Sequence, residues 1–181
     1  MIKNYLGIDP DTDKSGLAYY NTDTKEFKME LFTFYDLLET VKNYCKSKNN
    51  YLILLEAGWL NKTKNYHNFN STLNARNEIE RLEKSKAISA LIGSRVGANH
   101  QTGLLMERFF IDNKLNYELI RPYKSKINAK QFKDVTGCSL RTNQETRDAA
   151  MLIVRYLNLD ADYGLNKKGR NAKEILFGGG R

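Results

Sequence analysis

Residues 4–21 read NYLGIDPDTDKSGLAYYN. An apolar run from Tyr5 to Ile8 ends abruptly on Asp9. Asp11 and Asp13 follow, and Gly16 opens a second apolar run. One explanation is an acidic, solvated hairpin loop. The other is a core strand whose end presents an acid to a metal ion. Pro10 has no N–H to donate to a ladder, so it marks the point where the strand leaves the sheet. Asp9 therefore belongs to the strand, while Asp11 and Asp13 lie in the turn and read as solvated.

Working outward, residues 2–9 read as a strand with Ile2, Leu6 and Ile8 on one face and Tyr5 and Gly7 on the other. Residues 16–21 and 26–33 read as two more strands around the NTDTK turn, completing an antiparallel meander. Residues 35–47 show helical spacing through Leu37, Leu38, Val41 and Tyr44. The continuous apolar run Tyr51 to Leu55 suits a strand buried on both faces and ending at Glu56. The strand–helix–strand step predicts a parallel pairing reached by a right-handed crossover. Residues 58–74 read as a long polar loop carrying aromatics. Helices are expected over 75–92 and 98–113, separated by a break holding Gly93 and Gly97, and a fifth strand over 116–122. A short helix over 128–135 ends at Gly137, and a last helix runs over 143–158. The expectation is an α/β domain: a five-stranded mixed sheet, three antiparallel strands then two parallel ones, flanked by helices.

With 181 residues, one domain is the default. We assign it to residues 1–160, followed by a basic, Gly-rich tail over 161–181. The formal charge of +8 points toward polyanionic partners. No apolar run reaches the roughly 18–20 residues that span a bilayer, so no membrane role is expected. The first residues, MIKNYLGIDPD, do not read as a signal peptide, and an intracellular, cytoplasmic protein is expected. Cys45 and Cys138 fit neither a metal spacing nor a disulfide framework and read as reduced thiols.

The acids decide between the two explanations of Asp9. Glu56 ends a buried strand, where an ionised carboxylate is costly unless paired or metal-bound. In the last helix Ala149, Leu152, Ile153 and Tyr156 form an apolar stripe, and Glu145 and Asp148 lie on that stripe one turn earlier. Glu145 has a structural alternative as the partner of Thr142 in a capping box. Asp148 lies too deep in the helix for that role. Convergent carboxylates without a basic partner repel one another unless cations bind. An all-oxygen set suits Mg²⁺ or Mn²⁺. Two such ions can activate water and stabilise a leaving oxygen in phosphodiester cleavage.

These residues resemble the ribonuclease-H-like superfamily and, within it, the RuvC-type Holliday-junction resolvases. LGIDPDTDKSGLA is similar to the family's first motif at Leu6, Gly7, Ile8, Asp9, Pro10 and Gly16. LLEAGW, IGSRVGA and ETRDAAM resemble three further motifs in the same order, so the likeness spans residues 2–158. It implies a ribonuclease-H-like fold and an Mg²⁺ site of two ions, with Mn²⁺ a possible substitute. The matching residues are Asp9, Glu56, Glu145 and Asp148. It also implies a homodimer that nicks two strands of a four-way DNA junction symmetrically. Trp59 stands where the family carries a junction-perturbing aromatic, and the segment with Gly93 and Gly97 where it makes its dimer contact. Asp11 replaces a usually small residue, and the stretch between Glu56 and Gly93 is longer than the family pattern. The GANHQTG segment looks like phage-encoded relatives.

Lys62, Lys64 and Tyr66 beside Trp59 suit phosphate contact and base stacking. Arg121, Lys124, Lys126, Lys130 and Lys133 follow the fifth strand and are candidates for a DNA groove near the acids. The leading function is thus a Mg²⁺-dependent junction-resolving endonuclease acting on branched DNA. The alternatives are a related nuclease acting on other branched DNA, RNA–DNA hybrid or structured RNA, and a non-catalytic, structure-selective DNA-binding protein. Carboxylates placed against phosphates argue against the last. His100 reads as structural, since metal-activated water needs no histidine.

Overall fold

The structure is a computed structural model and describes residues 1–47, 50–61, 78–123, 126–138 and 140–157. Strands β1 (Asn4–Asp9), β2 (Ser15–Asn21) and β3 (Phe27–Phe32) form the expected meander. Helix α1 (Phe34–Ser47) crosses to β4 (Tyr51–Glu56), which pairs parallel with β1. Strand β5 (Tyr117–Ile120) adds parallel to β4. The sheet order is β3-β2-β1-β4-β5, with β1 at the centre. Helices α2 (Glu78–Asp112), α3 (Ala129–Thr136) and α4 (Gln144–Tyr156) complete the described elements. No helix among the described residues is long and apolar enough to cross a membrane.

Period-two alternation divides the core. Leu6 and Ile8 of β1 join Ile53 and Leu55 of β4, packed with Leu37 and Val41 of α1 and Met106 and Phe110 of α2. On the opposite face Tyr5, Leu52 and Leu54 pack with Phe132 of α3 and with Ala149, Leu152 and Ile153 of α4. β4 is therefore buried on both faces, as its unbroken apolar run predicts. Ile2 precedes β1 and packs on the Tyr5 side, not with Leu6 and Ile8 as alternation predicts, because β1 starts only at Asn4.

The expected break at Gly93 and Gly97 is absent: α2 is one continuous helix of 35 residues. A glycine inside a helix costs only about 1 kcal/mol relative to alanine, which an otherwise helix-forming stretch absorbs. Among the described residues the close approach that the two glycines would permit is not used, since a Cβ at either would meet none of them within 4 Å. The cap of α4 also differs. Asn143, not Thr142, is the N-cap; its Oδ1 accepts the Thr146 N–H at 2.9 Å, and Thr146 Oγ1 accepts the Asn143 N–H at 3.3 Å. The box is thus shifted by one residue, and the Glu145 side chain is not part of it.

Candidate active site

Asp9 shares the parity of Tyr5 and Gly7, and Glu56 that of Leu52 and Leu54, so both carboxylates project toward the α4 face. The parallel register pairs Ile8 with Leu55, which brings Asp9 and Glu56 out of adjacent strands at the same level. α4 lies across the same ends because two glycines let it. A Cβ built at Gly7 would stand 2.1 Å from the Ala149 carbonyl oxygen, and one at Gly16 2.2 Å from that of Glu145. Gly16 is the register partner of Asp9. The helix backbone therefore rests directly on β1 and β2, carrying Glu145 and Asp148 to the end of the central strand.

The side chain of Asp148 is 11% exposed. Its Oδ1 accepts from Gln144 Nε2 at 2.7 Å and its Oδ2 from Lys126 Nζ at 2.7 Å. Burial first, then the facing Glu56 and Asp148 carboxylates, push the Asp9 carboxyl up to about 8; Lys126 opposes this and Glu145 adds a smaller push. Burial and Asp148 push Glu56 up to about 7, against Lys126 and Arg155. Partial burial lowers the Lys126 ammonium, but its hydrogen bond to Asp148 and the charges of Asp148, Asp9 and Glu56 outweigh that and hold it above its usual range. Asp9, Glu56 and Asp148 are thus one electrostatic unit, to which Glu145 couples only weakly through Asp9.

A basic partner is present, contrary to the sequence expectation: Lys126 belongs to the acids. Arg147 places it. This buried guanidinium donates to the Ile127 carbonyl at 3.2 Å, to Thr142 O and Oγ1 at 3.1 Å each, and to Gln144 Oε1 at 2.9 Å. All of these acceptors are neutral. Through them Arg147 anchors the segment that carries Lys126. Sequence reading named Gly7 and Gly16 only as motif positions, without the helix that rests on them, and missed Gln144 and Arg147. Only the glycines left a signal, since a glycine inside a strand often marks close backbone approach.

Other candidates are more dispersed. Trp59 sits in a short 3₁₀ turn (Gly58–Leu60), half-buried. The edge of its ring lies 2.4 Å from where a Cβ at Gly103 would be, and His100 meets it edge-on at 6.4 Å between centroids. His100 packs between Gly58 and Trp59. Arg121 and Lys130 are exposed, the former just after β5 and the latter on α3. Lys62, Lys64, Tyr66, Lys124 and the tail over 161–181 lie outside the described residues. Asp13 is exposed, but Asp11 is not simply solvated: Asn99 of α2 donates to its Oδ2 at 3.0 Å.

As the side chains stand, no three His, Cys, Asp or Glu groups among the described residues gather tightly enough to hold a metal ion. The donor chemistry still suits a hard divalent cation. All donors are carboxylate oxygens, their mutual repulsion is what a cation relieves, and an ammonium already stands against Asp148.

A meander continued by two parallel strands, with a C-terminal helix laid over the central strand ends, is a ribonuclease-H-like architecture. No protein-family model and no curated protein matches the sequence. Among solved structures, the chain is similar to Thermus thermophilus RuvC in complex with a Holliday-junction substrate. The TM-score is 0.41 at 10% identity, over 86% of this chain and 95% of that one. T. thermophilus RuvC alone gives 0.39 at 11% identity over the same shares. The catalytic core domain of BIV integrase gives 0.29 at 10% identity, over 96% of this chain and 91% of that one. At this distance the functional reading rests on the side chains of this chain.

Proposed function

We propose that the protein is a Mg²⁺-dependent endonuclease that resolves four-way DNA junctions, acting as a homodimer that places two symmetric nicks. One observation carries this reading: Asp9, Glu56 and Asp148 converge, largely buried, at the end of the central strands, where burial and then their mutual repulsion raise the carboxyls of Asp9 and Glu56. A fold does not assemble such a cluster for stability, since each buried charge costs free energy unless it is matched. Asp9, Glu56 and Asp148 would hold the ions, with Glu145 able to join from the rim. Bound there, divalent cations supply a water nucleophile at neutral pH and charge neutralisation at the scissile phosphate. The protein's own part is to fix the carboxylates. Lys126 and Arg155 limit their repulsion, while Arg121 and Lys130 offer phosphate contacts on the surface beyond β5.

The test is a substrate panel in Mg²⁺ and in Mn²⁺: four-way junction, flap, linear duplex and RNA–DNA hybrid. Wild-type protein should nick the junction in preference, and Asp9→Asn should bind it without cutting. Preferential cleavage of hybrid or flap would transfer the same site to another substrate. Junction binding without any cleavage in either metal would leave a DNA-binding protein and sink the enzyme reading. A solution mass equal to a strict monomer would remove the paired-nick part.

A further inference from the structure

Asp11 stands where the resembled motif carries a small residue, and both of its carboxylate oxygens are engaged. Oδ1 accepts the Asp13 N–H at 2.9 Å, and Oδ2 accepts from Asn99 Nδ2 at 3.0 Å. Asn99 also takes the Thr12 N–H on its Oδ1 at 3.3 Å. Ser15 closes the turn from inside: its Oγ accepts the Asp11 N–H at 3.0 Å and donates to the Asp11 carbonyl at 3.1 Å. A single amide on α2 therefore grips the turn after Asp9 at two points.

The residues that follow on α2 continue the grip. His100 Nε2 lies 2.7 Å from where a Cβ at Gly58 would be. Around Gly103, the Trp59 ring edge and Pro10 Cγ come to 2.4 and 3.4 Å of the same construction. So residues 99–103 bear on Pro10–Thr12, next to Asp9, and on Gly58–Trp59, just beyond Glu56. Before this point α2 has no buried residue, and among the described residues a Cβ at Gly93 or Gly97 would meet nothing within 4 Å. Relative to the described residues, the stretch of α2 over 78–98, nearly six turns, is an arm, and Asn99 marks where it leaves the body.

We infer that Asp11 and Asn99 are a pair of positioning residues that clamp α2 to the turn following Asp9, so that the arm over 78–98 and the strand ends bearing Asp9 and Glu56 move as one piece. A load on the arm, from a partner or a substrate, is then transmitted to the carboxylates through one amide–carboxylate pair. The effect on cleavage rests on the nuclease reading. The clamp itself does not.

Trp59, the only tryptophan in the chain, sits in the clamped region and reports on it by fluorescence. Asp11→Asn sets an amide against an amide, and Asn99→Asp sets a carboxylate against a carboxylate. Each should shift Trp59 emission to the red and increase its quenching by acrylamide. The exchange Asp11→Asn with Asn99→Asp restores every donor–acceptor match, with the amide now on the turn, and should return the spectrum to that of wild type. On a cleaved substrate each single variant should lose about tenfold in kcat with KM little changed, and the exchange should recover most of it. Far-UV circular dichroism and the urea midpoint identify any variant that fails to fold, and Asn99→Ala then serves as the milder single variant. Single variants with wild-type Trp59 spectra would overturn the clamp, as would an exchange no better than the two defects combined. If wild-type protein cuts no substrate, the nuclease reading fails while the Trp59 comparison still decides the clamp.

Discussion

At the scale of single residues, the Asp9 carboxyl has the most direct thermodynamic consequence. Its folded value, about 8, lies far above the 3.8 of a free aspartate, and that of Glu56, about 7, above 4.5. Both groups bind protons more tightly in the folded state than in the unfolded one. Their favourable contribution is complete below about pH 4 and is lost as pH rises through 7 to 8. The metal-free protein should therefore lose stability across this window, and Asp9→Asn should lose less. Urea unfolding in chelator at pH 5 and pH 8.5 measures this: the advantage of Asp9→Asn over wild type should grow with pH, by an amount on the order of a few kcal/mol. An advantage that does not change with pH would mean that Asp9 is neither buried nor crowded as described. Lys126 lowers both carboxyls. Lys126→Met should accordingly move the acidic limb of the pH–cleavage profile to higher pH; an unmoved limb would place Lys126 outside the site. The acids were legible in the sequence because each breaks a local rule: Asp9 and Glu56 end apolar runs, and Asp148 interrupts an apolar stripe. Lys126 was legible only as one of several surface lysines, since nothing in its neighbourhood of sequence records that Arg147 holds the segment beside it.

At the scale of elements, the site depends on how closely α4 rests on β1 and β2. The contacts at Gly7 and Gly16 are backbone to backbone, so no side chain can turn aside to make room. Gly16→Ala should destabilise the fold by about 3 kcal/mol, at the upper end of overpacking costs, and lower cleavage in whatever fraction remains folded. Glycines in α2 should behave in the opposite way. At Gly93, exposed and helical, Gly93→Ala should add roughly 0.5–1 kcal/mol through helix propensity alone. Thermal melts of the two variants side by side check both signs, and a destabilising Gly93→Ala would point instead to something packed on that face in solution. This contrast also explains a misreading. Local pattern makes every glycine a punctuation mark, so by pattern Gly93 and Gly97 read as a break and Gly16 as the start of a strand, with the family motif adding positions but no partner. What separates them is the partner, helix α4 in one case and no described residue in the other, and that is a property of tertiary structure. The Asn143 cap was hidden for a simpler reason: Thr142 and Asn143 are both good N-cap residues, and the choice falls to Asn143 once Arg147 takes the Thr142 oxygens.

At the scale of the whole molecule, a chain of net charge +8 brings Asp9, Glu56 and Asp148 together at one point. The meander and the parallel crossover were legible from the short turns and the strand–helix–strand step, but which strand β4 joins was not, and it is the order β3-β2-β1-β4-β5 that brings Asp9 beside Glu56. The general positive charge favours an anionic polymer, while the local negative charge opposes its phosphates until cations intervene. Cation binding and proton release should therefore be linked across the entire fold. Below the raised values of Asp9 and Glu56, protons occupy the carboxyls and compete with the ion. Above them, the carboxylates are anionic, and an ion drawn among them would relieve their repulsion. Divalent cation should thus raise the unfolding temperature little at pH 6 and markedly at pH 8.5, by several degrees for each 1 kcal/mol of binding-derived stability. Calorimetry or dye-monitored melts of the full chain with Mn²⁺, and with chelator as the reference, would give both increments. Asp9→Asn should abolish most of the increment at pH 8.5. An equal increment at both pH values, or one that survives in Asp9→Asn, would show that the cation binds elsewhere and that the three carboxylates do not form its site.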